Sequence, residues 1–278
     1  MSLPEETKRI LEEHNLTANK VLGQNFLINE EAIDSLVDAA RLTPETTVLE
    51  VGPGLGSITK RLCEKAGRVI AVEKDPAMVA VLGKELAGKN NVEVVQEDIL
   101  RFNPTDHGLR AGEYVFVGAP PYYLTARLFR TFLESHEAIP ASIAFIIQKE
   151  VAEKIIATPP RATILSNAVQ SYGSASIECT VGRHSFLPQP NVDSALLVAR
   201  DITKPPHEKA LFSVLRAGFS SPRKQLGANI ANAFHIERDT ADGWLNENGI
   251  DPSRRAQTLS VKEWQTLAAK KGDISPSE

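Results

Sequence analysis

The chain has 278 residues, 42% of them hydrophobic, which is enough to bury a large core and suggests one large domain plus a smaller one. A net charge of −4 and a pI near 5.9 argue against a protein that coats nucleic acid by charge, so any nucleic-acid site must be local. No stretch approaches the ~18 apolar residues of a membrane span, and the opening MSLPEETKRILEEHN is charged throughout without an apolar signal core, which predicts a soluble, cytoplasmic protein.

In chain order, TTVLEVG, RVIAVEK, VEVVQED, YVFVGA and SIAFIIQ read as strands, with amphipathic segments between them. That alternation predicts an α/β fold, a parallel sheet covered by helices on both faces. ALLVAR reads as a further strand, and SIECTVG as its antiparallel neighbour. Beyond a linker at 203–206 the pattern turns helical, in ALFSVLRAGF, RKQLGANIANAF, TADGWLNENG and VKEWQTLAAKK. The predicted domains are therefore 1–203, the α/β part, and 204–278, a small all-α part that ends in a disordered tail, GDISPSE. Cys63 and Cys179 lack metal-ligand spacing and read as reduced thiols, and no metal site is expected.

VLEVGPGLGSITKRL reads as a buried strand, a turn carrying Gly52, Gly54 and Gly56, and a helix from about Ser57. Glycines there let the backbone approach a ligand closely, and a helix N-terminus offers free N–H groups. A P-loop would need Gly-Lys-Ser/Thr after the turn, whereas Gly56 is followed by Ser57 and Ile58. The dinucleotide fingerprint needs G-x-G-x-x-G; the spacing here is G-x-G-x-G after Glu50, which fits S-adenosylmethionine better, although a plain tight turn would read the same way. Glu73 ends the next strand, where a carboxylate can accept hydrogen bonds from both ribose hydroxyls, and Asp98 ends the third, where one can accept from an adenine amino group. Taken singly, each is a solvated loop carboxylate. Together they put ligand-type residues at three successive strand ends, where doubly wound sheets bind ligands.

The fourth strand runs into GAPPYY, residues 118–123, a stiff loop that presents an aromatic ring. With Gln24-Asn25-Phe26-Leu27 upstream, the Glu50-to-Gly56 turn, and Phe186, Pro188, Pro190, Val192 and Ser194 downstream, the chain resembles the small-subunit ribosomal RNA adenine dimethyltransferases, the KsgA family. IQKEVAEK, GFSSPRKQLGANI and GIDPSRRAQTLSVKEW extend the resemblance over nearly the whole chain. It implies a Rossmann-like methyltransferase sheet with a helical C-terminal domain that contributes to rRNA binding. It also implies a monomer that dimethylates adenine N6 near the 3′ end of small-subunit rRNA, within the maturing small subunit. By motif position, Gln24, Asn25, Leu27, Gly52, Gly54, Glu73, Lys74, Asp98 and Ala119 are expected to line the S-adenosylmethionine site. The expected catalytic positions are Ala119, Pro121, Tyr122 and Phe186. Tyr122 would stack on a target adenine that has left its own stack, worth ~1–3 kcal/mol, with Phe186 as a second wall.

One position departs from the family's N-[LI]-P-[YF]: Ala119 stands where the asparagine belongs. An adenine N6 amine is a poor nucleophile, and in the family the asparagine oxygen and a neighbouring carbonyl accept its hydrogen bonds and orient it; alanine offers only its backbone. Losing one such preorganised group costs ~10²–10³ in rate by analogy with oxyanion-hole variants. One arginine of the family's F-x-x-R-R-K run is Pro222 here, while Arg223 and Lys224 remain as phosphate contacts or as a solvated helix face. ATPPRATILS replaces the Tyr-Gly pair that often follows QKEVAEK. Ala119 keeps open a non-catalytic assembly factor of the same fold. The residues also admit an Erm-type large-subunit methyltransferase and a small-molecule methyltransferase.

Overall fold

The computed structural model describes residues 1–19 and 22–274; Lys20, Val21 and residues 275–278 of the expected tail lie outside them. The chain divides into two compact units, one of Met1–Ala152 with Ser174–Thr203, the other of Glu153–Gly173 with Lys204–Glu278. The second unit therefore includes a segment from the middle of the predicted α/β part.

The first unit begins with α1 (Leu3–Glu13), β1 (Phe26–Leu27) and α2 (Glu30–Ala39), followed by β2 (Thr47–Val51), α3 (Ser57–Lys65), β3 (Arg68–Glu73), α4 (Pro76–Glu85) and β4 (Val92–Gln96). The chain then returns to β5 (Tyr114–Gly118), α5 (Thr125–Phe129) and β6 (Ser142–Gln148), and α6 (Lys149–Ile156) leads into the segment that holds α7 (Ile164–Gln170). It re-enters as β7 (Ser174–Val181), β8 (Phe186–Leu187) and β9 (Ser194–Arg200).

Seven strands form one sheet in the order β4-β3-β2-β5-β6-β9-β7. The first five are parallel, and β9 pairs antiparallel with both β6 and β7, as ALLVAR and SIECTVG suggested. The central strands are apolar on both sides because both faces are covered: Val48, Leu49, Val69, Ile70, Phe116 and Val117 are completely excluded from water. From β2 the chain winds outward through β3 and β4, then resumes at β5 on the other side of β2. That reversal opens a crevice at the carboxyl ends of β2 and β5.

Helices α8 (Glu208–Gly218), α9 (Leu226–Phe234), α10 (Arg238–Glu247) and α11 (Val261–Ala269) make up most of the second unit. Its core holds Leu211, Leu215, Leu226, Ile230, Leu245 and Trp264, and α7 packs on α8. Ser260 caps α11 in a reciprocal pair with Glu263, which Arg254 also grips from the preceding loop. No helix among the described residues is long and apolar enough to cross a membrane. Cys63 and Cys179 are free thiols, and burial pushes Cys63 up to about 11, so it stays protonated.

Candidate functional site

The glycine turn after β2 is built from left-handed backbone, with φ of +62° at Gly52, +56° at Gly54 and +86° at Gly56, a region that disfavours side chains. A Cβ on Gly52 would point into open space, with only Pro121 Cδ as near as 4.0 Å, so this stretch of backbone forms a bare floor. At the paired end of β5, Gly118 lets Val51 pass closely: a Cβ there would come 2.6 Å from the Val51 carbonyl oxygen. The turn and the GAPPYY loop are thereby brought side by side.

Glu73 at the end of β3 is 8% exposed, and its carboxylate accepts from the Gly54 N–H at 3.1 Å and the Asp75 N–H at 2.8 Å. Burial raises its pKa, and these backbone hydrogen bonds oppose that rise. A carboxylate offers about four acceptor sites, so two remain for a diol. Asp98, just past β4, accepts from Lys74 Nζ at 2.9 Å and from the Leu100 N–H at 3.1 Å; its burial is outweighed by these bonds, and its pKa is lowered. Lys74 is thus held by Asp98.

The Gln24–Leu27 motif and the Phe186–Ser194 loop, far apart in sequence, meet as a two-stranded antiparallel ribbon in which Leu27 opposes Phe186 and Phe26 opposes Leu187. Asn29 fastens its end, donating to Ser185 Oγ at 3.1 Å while its oxygen caps α2. Both ends of the Gln24 amide are used within the protein, accepting from the Asn19 N–H and donating to Asp75, each at 2.9 Å. Asn25 donates to the Gly23 carbonyl at 3.1 Å. Phe26 lines the crevice, whereas the Leu27 side chain belongs to the buried core cluster that includes Val117 and Phe186.

These pieces line one cleft that is open to solvent. Gln24, Asn25, Gly52, Gly54, Glu73, Lys74, Asp98, Ala119, Pro121, Tyr122 and Phe186 all line it; of the expected site residues in this unit, only Leu27 does not. Tyr122 is half-buried with its hydroxyl 2.8 Å from Ser194 Oγ, and burial, only partly opposed by that hydrogen bond, raises its pKa. Ala119 presents a methyl group and its backbone. Arg223 and Lys224 sit exposed in the turn before α9, in the second unit, where Asn229 anchors the turn by donating to the carbonyls of Gly218 and Ser221.

The sequence pattern did not single out Tyr123, Arg127, Glu97 and Ile99, which also line the cleft. The doubled tyrosine of GAPPYY was the available signal for Tyr123. Nor did it single out Glu50 as a buried acid: its carboxylate lies wholly buried, and the Thr59 hydroxyl beside it only partly opposes the effect of that burial. Burial pushes Glu50 up to about 8. Among the described residues no group of three or more His, Cys, Asp or Glu side chains could hold a metal ion.

The chemistry of this cleft suits a nucleoside-bearing cofactor. It combines a bare glycine floor, a carboxylate with spare acceptor sites and, one strand further out, a second carboxylate.

Comparison with known proteins points the same way. Residues 15–271 match the family described as ribosomal RNA adenine dimethylase. The ribosomal RNA small subunit methyltransferase A of Dehalococcoides mccartyi (strain CBDB1) is 38% identical over 270 residues, covering 96% of this chain and 92% of that protein. The protein of the same name from Bacillus mycoides (strain KBAB4) is 36% identical over 282 residues, covering 96% of each. Among solved structures, the 23S rRNA methyltransferase ErmE superposes with a TM-score of 0.71 at 26% identity, over 88% of this chain and 99% of that one. A dimethyladenosine transferase from Plasmodium falciparum gives 0.72 at 23% identity over 88% and 96%, a likeness of fold. With a family match that spans nearly the whole sequence and relatives aligned end to end, the chain belongs to the ribosomal RNA adenine dimethylase family.

Proposed function

We propose that this protein is an S-adenosylmethionine-dependent methyltransferase that dimethylates adenine N6 in small-subunit rRNA near its 3′ end, acting as a cytoplasmic monomer on the maturing small subunit. The observation that carries the reading is the convergence of the Pro121-Tyr122 loop with Glu73 and Asp98 on one cleft at the sheet's switch point. When bound, S-adenosylmethionine supplies an electrophilic methyl group on a sulfonium. Asn25, Gly52, Gly54, Glu73 and Asp98 hold that cofactor, with Lys74 acting through Asp98 and Gln24 by securing the loop. Leu27 contributes through the ribbon it forms with Phe186. Tyr122 stacks on the extruded adenine, Phe186 walls the pocket, and Arg223 and Lys224 contact RNA phosphates.

The residues' remaining task is to place the amine, since catalysis of this kind is mostly positioning. Pro121 fixes the loop that carries the ring, and main-chain carbonyls of that loop are the acceptors left to the amine at Ala119. That poverty of acceptors favours a second reading, an assembly factor of the same fold that binds cofactor and pre-subunit but transfers slowly. An Erm-type activity has less support, because the relatives at 36% and 38% identity carry small-subunit names.

The deciding experiment measures transfer of labelled methyl groups from S-adenosylmethionine to undermethylated small subunits, by this protein and by Ala119→Asn. The enzyme reading expects transfer by the protein as it stands and a kcat gain of ~10²–10³ in the variant if the loop carbonyls are poor substitutes. Absence of transfer until asparagine is restored means that the fold is kept for binding or that position 119 was altered to stop the chemistry.

A further inference from the structure

Two side chains at the lip of the cleft are left unused by methyl transfer. Tyr123 is 55% exposed, an unusual state for so large a ring. It is nonetheless supported: a Cβ on Gly23, where φ is +66°, would stand 3.3 Å from Tyr123 Cε1 and 3.4 Å from Pro121 Cβ, so the bare glycine makes room for the ring's edge. Four residues on, the exposed Arg127 of α5 also lines the cleft. It makes no ion pair or hydrogen bond with any described residue, whereas Arg130 on the next turn lies 3.9 Å from Glu134. The other cation of the lining, Lys74, is occupied by Asp98 at 2.9 Å. Among the described residues, the free positive charge at this mouth is therefore the Arg127 guanidinium.

A propped aromatic face and an unpaired guanidinium, four residues apart and lining the same cleft, offer what a nucleotide needs, a surface for its base and a fork of donors for its phosphate. We propose that Tyr123 and Arg127 form a subsite for the nucleotide that adjoins the target adenine in the RNA strand, Tyr123 stacking on its base and Arg127 pairing with the phosphate between the two. The proposal rests on reading the cleft as an RNA adenine site. Extruding an adenine unstacks its neighbour as well, and a platform at the lip offsets that cost.

The test is equilibrium binding of a fluorescent RNA hairpin with two adjacent loop adenines, alongside the same hairpin with one adenine made abasic. Binding is measured for the wild type, Tyr122→Ala, Tyr123→Ala, Tyr123→Phe and Arg127→Gln, with S-adenosylmethionine affinity as the check on folding. Tyr123→Ala is expected to weaken intact-hairpin binding roughly 5- to 100-fold and to bind the abasic hairpin as the wild type does, while Tyr123→Phe keeps wild-type affinity. Arg127→Gln should lower the salt slope by about 0.7. Wild-type affinity in Tyr123→Ala, with binding still dependent on Tyr122, overturns the subsite and leaves the proposed function standing. Failure of the wild type to bind either hairpin overturns the subsite as a binding determinant, while the proposed function is decided separately by methyl transfer to small subunits.

Discussion

At the level of single residues, the groups proposed to hold cofactor and those proposed to hold base stand on different elements, Glu73 at the end of β3 and Tyr122 after β5. Glu73 is bonded to two backbone N–H groups of neighbouring turns, so its removal costs the shape of the floor as well as the proposed ligand contact. Glu73→Ala is expected to weaken S-adenosylmethionine binding ~10- to 100-fold, as befits lost hydrogen bonds to a charged group, whereas Tyr122→Ala leaves it nearly unchanged; titration calorimetry on both variants checks this. Glu50 makes a prediction about pH. Its carboxyl titrates at about 8 in the folded chain against an ordinary 4.5, so the folded state keeps a proton that the unfolded state has released. Its contribution to stability is complete below pH 4.5 and is lost as pH rises through 8, with a slope of ~1.4 kcal/mol per pH unit between. Glu50→Gln should remove that slope: urea unfolding at pH 5 and pH 8 should find the variant close to the wild type at the lower pH and more stable at the higher. Equal slopes in the two proteins would mean that Glu50 is not buried neutral.

At the level of elements, glycines mark where one segment passes close to another. In α8 the absence of a side chain at Gly218 admits the Trp264 ring of α11, since a Cβ would lie 2.3 Å from its Cη2. Gly218→Ala should therefore destabilise the helical unit by ~1–3 kcal/mol through overpacking. Because the change touches only that unit's core, cofactor affinity should stay at its wild-type value. Denaturant unfolding and calorimetry on one preparation test both halves. The β1–β8 ribbon shows the converse, an element that exists through tertiary pairing. Two residues on each side are too few to form a strand alone, and they do so because Leu27 and Phe186 are buried together.

Across the whole molecule, the segment Glu153–Gly173 belongs with the C-terminal helices. It buries Val169 and Tyr172, and the Tyr172 hydroxyl donates to Glu208 at 2.5 Å. A protein cut at residue 203, the boundary suggested by composition, would strip α7 of its packing on α8. Limited proteolysis of that fragment should cleave within 153–173, while the intact chain resists there; protection in both would show that the segment stands without its helical partners.

The sequence by itself determined the strands, the glycine turn, the acidic strand ends and the resemblance that carries the function. Each is written in residues close together, as a period of apolar side chains or a fixed spacing, and local chemistry needs no knowledge of the rest of the chain. The tertiary structure alone decided which distant groups meet. Tyr122 and Ser194 share a hydrogen bond across 72 positions, Gln24 spends its amide on Asp75 while lining the cleft, and Glu50 is wholly buried beside Thr59. Such outcomes depend on how buried surfaces are shared among elements that sequence order does not join, and only the folded packing settles that competition.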